Sequence, residues 1–150
     1  MRTILRAILP DNRGNAAVEF ALVAPMLAAG LVAMIDLGIG FYEKMQVENA
    51  AQAGAEYAVT QGWNAAAVTN AVTASGTLAA ISATPAPAQS CGCASGTTVA
   101  AAACGSVCPS GAAAGTYVTV NAQAQYKTIL SYPGLASPMT LSAQSIVRLQ

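Results

Sequence analysis

Cysteines and carboxylates are the residue types in this sequence that could do chemistry. The four cysteines follow the pattern C-x-C, ten residues, C-x3-C, and all six acids lie in the first 56 residues. Histidine is absent, which removes the commonest general base and the commonest metal ligand. No acid follows Glu56, so no acid/base pair or catalytic triad can be built in the rest of the chain. We therefore expect a protein that is not an enzyme and that uses no cofactor and no small-molecule substrate.

The overall composition narrows the function further. Charged residues make up 8% of the 150 residues, against roughly 25% in ordinary soluble domains. The formal net charge is zero, which argues against nucleic acid as a partner. After Glu56 the only charged residues are Lys127 and Arg148. We expect the acid-bearing N-terminal third and the nearly uncharged remainder to meet different surroundings.

The element that must position the acids is an apolar helix. Phe20–Ile35 is a run of sixteen residues without a charge. A bilayer core of about 30 Å needs about 20 helical residues, which predicts one transmembrane span over residues 16–36. Glu19 and Asp36 then lie near opposite interfaces, where both carboxylates stay solvated and avoid the bilayer centre. A functional role for Asp36 is the alternative to interfacial solvation.

Charges on either side of this span predict its orientation. Lys44 is the only basic residue just after the span, whereas three arginines precede it: Arg2, Arg6 and Arg13. The positive-inside rule then places the N-terminus in the cytoplasm and the C-terminal part outside, in the periplasm or beyond. A secretory signal peptide is the alternative, but it would not normally carry Glu19 at the start of its apolar run. We predict a single-pass protein of the inner (cytoplasmic) membrane, anchored in the lipid bilayer.

The cysteines fall in the predicted outer part, and their spacing admits three interpretations. Zinc sites use C-x2–4-C pairs with Cys or His partners, and no further ligand is near; free or redox-active thiols are a second alternative. An oxidising compartment favours disulfides, with no metal site. A bridge from Cys91 to Cys93 would be strained, so we expect each of them to pair with one of Cys104 and Cys108. Two pairings remain open.

The cytoplasmic boundary of the span carries a motif. Residues 13–20 read R-G-N-A-A-V-E-F, so that Gly14 precedes Glu19 by five positions, between a basic leader and an apolar helix. Glycine lets the backbone extend into a protease cleft without a side-chain clash. Cleavage after Gly14 would make Asn15 the new N-terminus, and Glu19 could neutralise its ammonium group in an apolar assembly. This arrangement resembles the processing site of type IV prepilins.

Residues 18–59 resemble the TadE-like family of tight-adherence (Tad) pilus systems. The shared features are E-F after the glycine, Pro25, the acid-x-Gly step that begins at Asp36, and the alanine-rich run Asn49–Ala55. Asp36 stands where many relatives carry Glu, and Gly54 interrupts the alanine pattern. The resemblance implies a pilin-like fold, cleavage by a prepilin peptidase on the cytoplasmic side, and partnership with other pilins or pseudopilins and the Tad machinery.

The helix is expected to continue past the membrane as a stem, so that the transmembrane and stem helix covers residues 15–62 after a leader of residues 1–14. Pro25 removes a backbone donor and predicts a kink. Two faces of the stem follow helical spacing. The polar face consists of Lys44, Glu48, Gln52 and Glu56, and the small-residue face consists of Ala51, Gly54, Ala55 and Ala58. We expect the small-residue face to pack on the chain's own outer domain; packing on another subunit is the alternative.

The outer domain is predicted to span residues 63–150 in three parts: a helix over 63–81 that Gly76 ends or bends, an extended Cys-rich loop over 82–115, and two strands over 116–150. Apolar and polar residues alternate from Val118 to Lys127 and again after Met139, with a turn at Tyr132-Pro133-Gly134 between them. The predicted class is α+β: a long N-terminal helix, a small C-terminal antiparallel hairpin or sheet, and a disulfide-stapled loop.

Two functions fit these observations. The first is a minor pilin or pseudopilin that is processed by a prepilin peptidase and takes part in biogenesis of a Tad-type pilus, either as an accessory protein or as a component of the filament. The alternative is an inner-membrane-anchored binding or adhesion module that is never assembled, with the Cys-rich segment 88–110 as its contact surface. Cleavage after Gly14 distinguishes them.

Overall fold

A computed structural model describes residues 14–76, 80–130, 134 and 137–149. They form two helices and four strands: α1 (Asn15–Gln61), α2 (Ala65–Ala74), β1 (Ala88–Ser95), β2 (Thr98–Ala101), β3 (Gly115–Tyr126) and β4 (Met139–Arg148). The predicted α+β class, with a long N-terminal helix and an antiparallel sheet, is confirmed. Most of the leader and the residues Tyr132 and Pro133 of the predicted turn lie outside the described residues. The chain divides between Gly38 and Ile39 into two units.

Helix α1 is continuous over 47 residues, which corresponds to a length of about 70 Å. Its C-terminal end agrees with the predicted one to within a residue. The polar face of its stem is solvent-exposed or half-exposed, and Lys44 and Glu48 form an i,i+4 ion pair there with an N–O distance of 3.2 Å. Pro25 lies inside α1, which continues on both sides of it; the kink expected at this residue remains a prediction.

Helix α2 is shorter than predicted. Its start agrees with the sequence, because the side chain of Asn64 accepts a hydrogen bond from the backbone N–H of Ala67 at 3.0 Å, as an N-cap residue does. It ends at Ala74, well before residue 81, and the hydroxyl and backbone N–H of Ser75 both donate to the carbonyl of Val72. A serine that satisfies the last carbonyls competes with continuation of the helix.

The sheet is antiparallel throughout, in the order β2-β1-β3-β4. Strands β3 and β4 lie where the period-two pattern predicted them, and their ladder runs from the pair Tyr117–Arg148 to the pair Tyr126–Met139. Alternate residues of β3 are buried. On the opposite face, cross-strand side-chain hydrogen bonds join Gln125 to Thr140 and Gln144 to Asn121, each at 2.9 Å.

The prediction of an extended loop over 82–115 is wrong between residues 88 and 101, where β1 and β2 form a hairpin. Their sequences, AQSCGCAS and TVAA, contain few of the β-branched and aromatic residues that mark a strand. These strands form because they pair with neighbouring strands, and β1 pairs with β3 from Ala88 to Gly92. Gly96, in the hairpin turn, has a φ of +61°, a left-handed conformation that favours glycine.

The core lies between the stem, α2 and β3. The small-residue face of α1 is buried there, with Ala51, Ala55 and Ala58 at most 2% exposed, in one cluster with the valines of α2 and β3. Gly54 marks the closest approach, since a Cβ built on it would lie 2.5 Å from Cγ2 of Val72 and 2.9 Å from Cγ1 of Val120. The stem therefore packs on its own domain, as expected.

Candidate functional site

The processing motif lies at the beginning of α1. Gly14 is exposed and immediately precedes Asn15, the first residue of the helix. The side-chain amide of Asn15 donates to Oε1 of Glu19 at 3.4 Å, and both residues are exposed. Because residues four apart lie on the same face of a helix, the Glu19 carboxylate is one turn from the backbone nitrogen that cleavage after Gly14 would release.

The helix surface that follows the motif is apolar and uncovered. Most of its large side chains are more than half exposed, for example Phe20 at 69% and Met26 at 77%. Among the described residues α1 is the one helix long and apolar enough to cross a membrane, and none of its apolar window is buried inside the protein. A soluble core helix would be covered by its own chain. The helix is consistent with a single-pass membrane anchor.

Asp36 differs from the expectation of a solvated carboxylate at the membrane interface. Its side chain is buried, with 2% exposure. Burying a carboxylate is costly unless other groups compensate the loss of its water. The sequence carried a signal for this, since Asp36 is the first acid after a long uncharged run, but periodicity alone did not distinguish a buried carboxylate from an interfacial one.

The four cysteines form two disulfides, which lie in the domain that follows Gly38. Cys91 pairs with Cys104 and Cys93 with Cys108, with Cα–Cα distances of 5.1 and 5.6 Å. Of the two pairings that the sequence left open, the structure has this one, and both bridges tie the segment after β2 to strand β1. Among the described residues no group of three or more His, Cys, Asp and Glu side chains is arranged to hold a metal ion.

An open groove of about 360 Å³ runs between the stem and β4. It is polar, and its lining residues are Lys44, Glu48, Gln52 and the strand segment from Ser142 to Ser145. The ammonium group of Lys44 donates to the backbone carbonyl of Ser142, in addition to its ion pair with Glu48. Lys44 therefore ties the stem to the edge strand of the sheet, and the groove contains no charged group other than this ion pair.

The sequence-predicted site residues fall into two groups, one in each unit of the chain. The first group, Gly14, Asn15 and Glu19, lies at the start of an exposed apolar helix. The second group, the cysteines, lies in the unit Ile39–Gln150, which we call the sheet domain. The groove beside Lys44 was not foreseen, because it depends on the position of β4 relative to the stem. The chemistry available at the helix start is peptide cleavage by another protein and charge pairing.

Comparison with known proteins bears on the first group. Residues 14–56 match the family model of TadE-like proteins, which confirms the resemblance noted in the sequence. The matched segment begins at Gly14 and ends within the stem, so α2, the sheet and the disulfides lie outside it. No significant match was found among curated proteins or among solved structures. The family match suggests a protein associated with a Tad pilus.

Proposed function

We propose that this protein is a minor pilin or pseudopilin of a Tad pilus system, and that a prepilin peptidase cleaves it between Gly14 and Asn15. The observation that carries the proposal is the combination of an exposed glycine with an apolar helix that starts directly after it and is uncovered by the rest of the chain. The family match begins at this same glycine, which supports the proposal.

Before cleavage, the protein is held in the inner membrane with its leader in the cytoplasm. The three arginines of the leader favour that orientation through the positive-inside rule. The peptide bond after Gly14 then lies at the cytoplasmic face, within reach of a membrane peptidase. The sheet domain lies on the other side, where an oxidising compartment allows the Cys91–Cys104 and Cys93–Cys108 bridges to form and persist.

After cleavage, assembly is driven by packing of the exposed apolar surface of α1 against the helices of other pilins. The new ammonium group on Asn15 would be costly to bury in such a bundle. Glu19 offsets this cost, because its carboxylate lies one turn away and can pair with that ammonium group or with the one of a neighbouring subunit. The charge pair thereby favours one register of the helix over others.

The alternative function, an anchored binding module that is never assembled, would use the exposed Cys-rich segment as its contact surface. Such a protein would have no need of cleavage after Gly14. The intact mass of the protein extracted from its native membrane therefore decides between the two: loss of residues 1–14 supports the pilin proposal, and a full-length mass contradicts it. A start near residues 28–31 would indicate a signal peptide.

Substitution at the cleavage site gives a matched test of the same proposal. We expect Gly14→Arg to abolish cleavage and Gly14→Ala to slow it, since a side chain at this position obstructs entry into the protease cleft. Ala66→Arg adds the same side chain at an exposed position of α2 and should be processed normally. Mass spectrometry of the three variants measures the cleaved fraction, and normal cleavage of Gly14→Arg would refute the assigned site.

A further inference from the structure

Strand β3 runs along the stem toward the end at which the chain enters this domain. Val120 packs at the level of Gly54, and Tyr126 packs at the level of Gly40. A Cβ built on Gly40 would lie 3.3 Å from the ring carbon Cε1 of Tyr126. Between these two levels the helix rises about 21 Å and the strand advances about 20 Å. The agreement of these lengths means that β3 and the stem are nearly antiparallel over this stretch.

The described residues that follow Tyr126 therefore lie at the Gly40 end of the domain. Tyr126 and Met139 form the last pair of the ladder, so the chain that follows Tyr126 extends beyond the sheet at this end. Its described residues include Ile129 and Leu130, which are 58% and 41% exposed. Two adjacent aliphatic side chains are thus largely exposed at this end of the sheet.

The charge and the neighbouring aromatic residues indicate what that partner is. Lys127 is exposed at the base of the connection, and the sequence from 127 to 138 contains no acid. On the stem, Phe41 and Tyr42 lie next to Gly40 in sequence and are 71% and 46% exposed. Aromatic side chains and lysines with apolar neighbours are the residues that favour the headgroup level of a bilayer.

We propose that residues 127–130 form a second membrane contact, in which Ile129 and Leu130 enter the outer interface of the bilayer and Lys127 binds headgroup phosphates. The inference rests on the proposed membrane anchoring of residues 16–36, since Gly40 lies four residues beyond that span in the same helix. It goes beyond that anchoring because it assigns a lipid-binding role to the sheet domain, which lies outside the family-matched segment.

The test places a tryptophan at Ile129, in the described part of the connection, in the full chain. Ile129→Trp is reconstituted into vesicles of zwitterionic and anionic phospholipids brominated near the headgroup end of their acyl chains, and its emission is compared with that of the parent, which contains Trp63. We expect the bromolipids to quench most of the emission that Ile129→Trp adds. Val107→Trp is the matched control: Val107 is 74% exposed and lies beyond the opposite end of β3, so its added emission should be unquenched.

A third variant separates this inference from the function on which it rests. Met26→Trp places the probe at the centre of the predicted span and should be quenched strongly by phospholipids brominated near the methyl ends of their acyl chains. If Met26→Trp is quenched and Ile129→Trp is no more quenched than Val107→Trp, the second membrane contact is refuted while the anchor stands. If Met26→Trp is unquenched, the anchoring itself is refuted.

The role of Lys127 is tested in the same vesicles without a new probe. Adding Lys127→Glu to Ile129→Trp should lower the quenching in anionic vesicles, because a carboxylate is repelled by the phosphates that the ammonium group binds. The two intact disulfides, verified by mass before and after reduction, show that each variant has folded. Equal quenching with and without Lys127→Glu would refute the headgroup contact.

Discussion

The two parts of helix α1 differ in side-chain size and in what covers them. Before Gly38 the helix carries large apolar residues such as Leu27 and Leu31, which are 64% and 61% exposed. In the stem, the buried residues that face inward are mostly alanines and Gly54, together with Val47. Close approach of a sheet requires small side chains, whereas lipid or a helical bundle accommodates large ones. One helix thus has a first part whose large apolar side chains are exposed and a second part that its own domain covers.

This difference predicts that substitutions in the first part impair assembly and leave the fold intact, whereas substitutions in the second part unfold the domain. The largest effect is expected for Glu19→Gln. Cleavage should proceed normally, but pilus number should fall more than about tenfold, since removing one partner of a buried ion pair costs about 3–5 kcal/mol. Electron microscopy counts the pili, with Glu56→Gln, an exposed stem acid, as control. Normal piliation would contradict the role of the carboxylate.

Gly54→Val tests the close approach in the stem. The new side chain would occupy the space of Val72 and Val120, and we expect the free energy of unfolding to fall by about 3 kcal/mol, the upper range for overpacking. Gly30→Val is the control, because a Cβ there has open space around it. The fluorescence of Trp63, which packs against the core, reports unfolding in denaturant. Adding Val120→Ala to Gly54→Val should recover part of the lost stability. If Gly54→Val and Gly30→Val were equally stable, the proposed difference between the two parts of α1 would be contradicted.

Removal of the Cys91–Cys104 disulfide tests the part of the domain that has the fewest large apolar residues. The double variant Cys91→Ala and Cys104→Ala should lose about 3 kcal/mol of unfolding free energy, as expected for a loop of about 15 residues. Cleavage after Gly14 should be unchanged, because the motif lies in the other unit of the chain. Denaturation of oxidised protein measures the first quantity and mass spectrometry the second. A defect in cleavage would mean that the two regions are not independent.

A matched pair of valines gives the smallest effect. Val120→Ala should lower the free energy of unfolding by about 2 kcal/mol, from lost apolar burial and the cavity left behind. Val23→Ala removes the same atoms from a side chain that is 51% exposed, and we expect no measurable change in the unfolding of the domain. The same Trp63 fluorescence assay applies. A destabilising Val23→Ala would show that the first part of α1 contributes to the domain core.

Most elements with a strong period were predictable from the sequence. The long helix followed from its apolar run and its i,i+4 polar face, and β3 and β4 followed from strict alternation. Strands β1 and β2 were missed because their small and polar residues resemble a loop, and their ladder depends on β3, which is distant in sequence. The length of α2 was overestimated because Ala-rich sequence favours helix locally, while Ser75 ends it.

The sequence by itself determined the motif at Gly14 and Glu19, the apolar helix and the alternation of the last two strands, since each depends on neighbours along the chain. Only the tertiary structure decided the pairing of Cys91 with Cys104 and of Cys93 with Cys108, the burial of Asp36, and the packing of the small-residue face on β3. These features depend on contacts between residues far apart in sequence, and such contacts produce no periodic pattern of apolar residues along the chain.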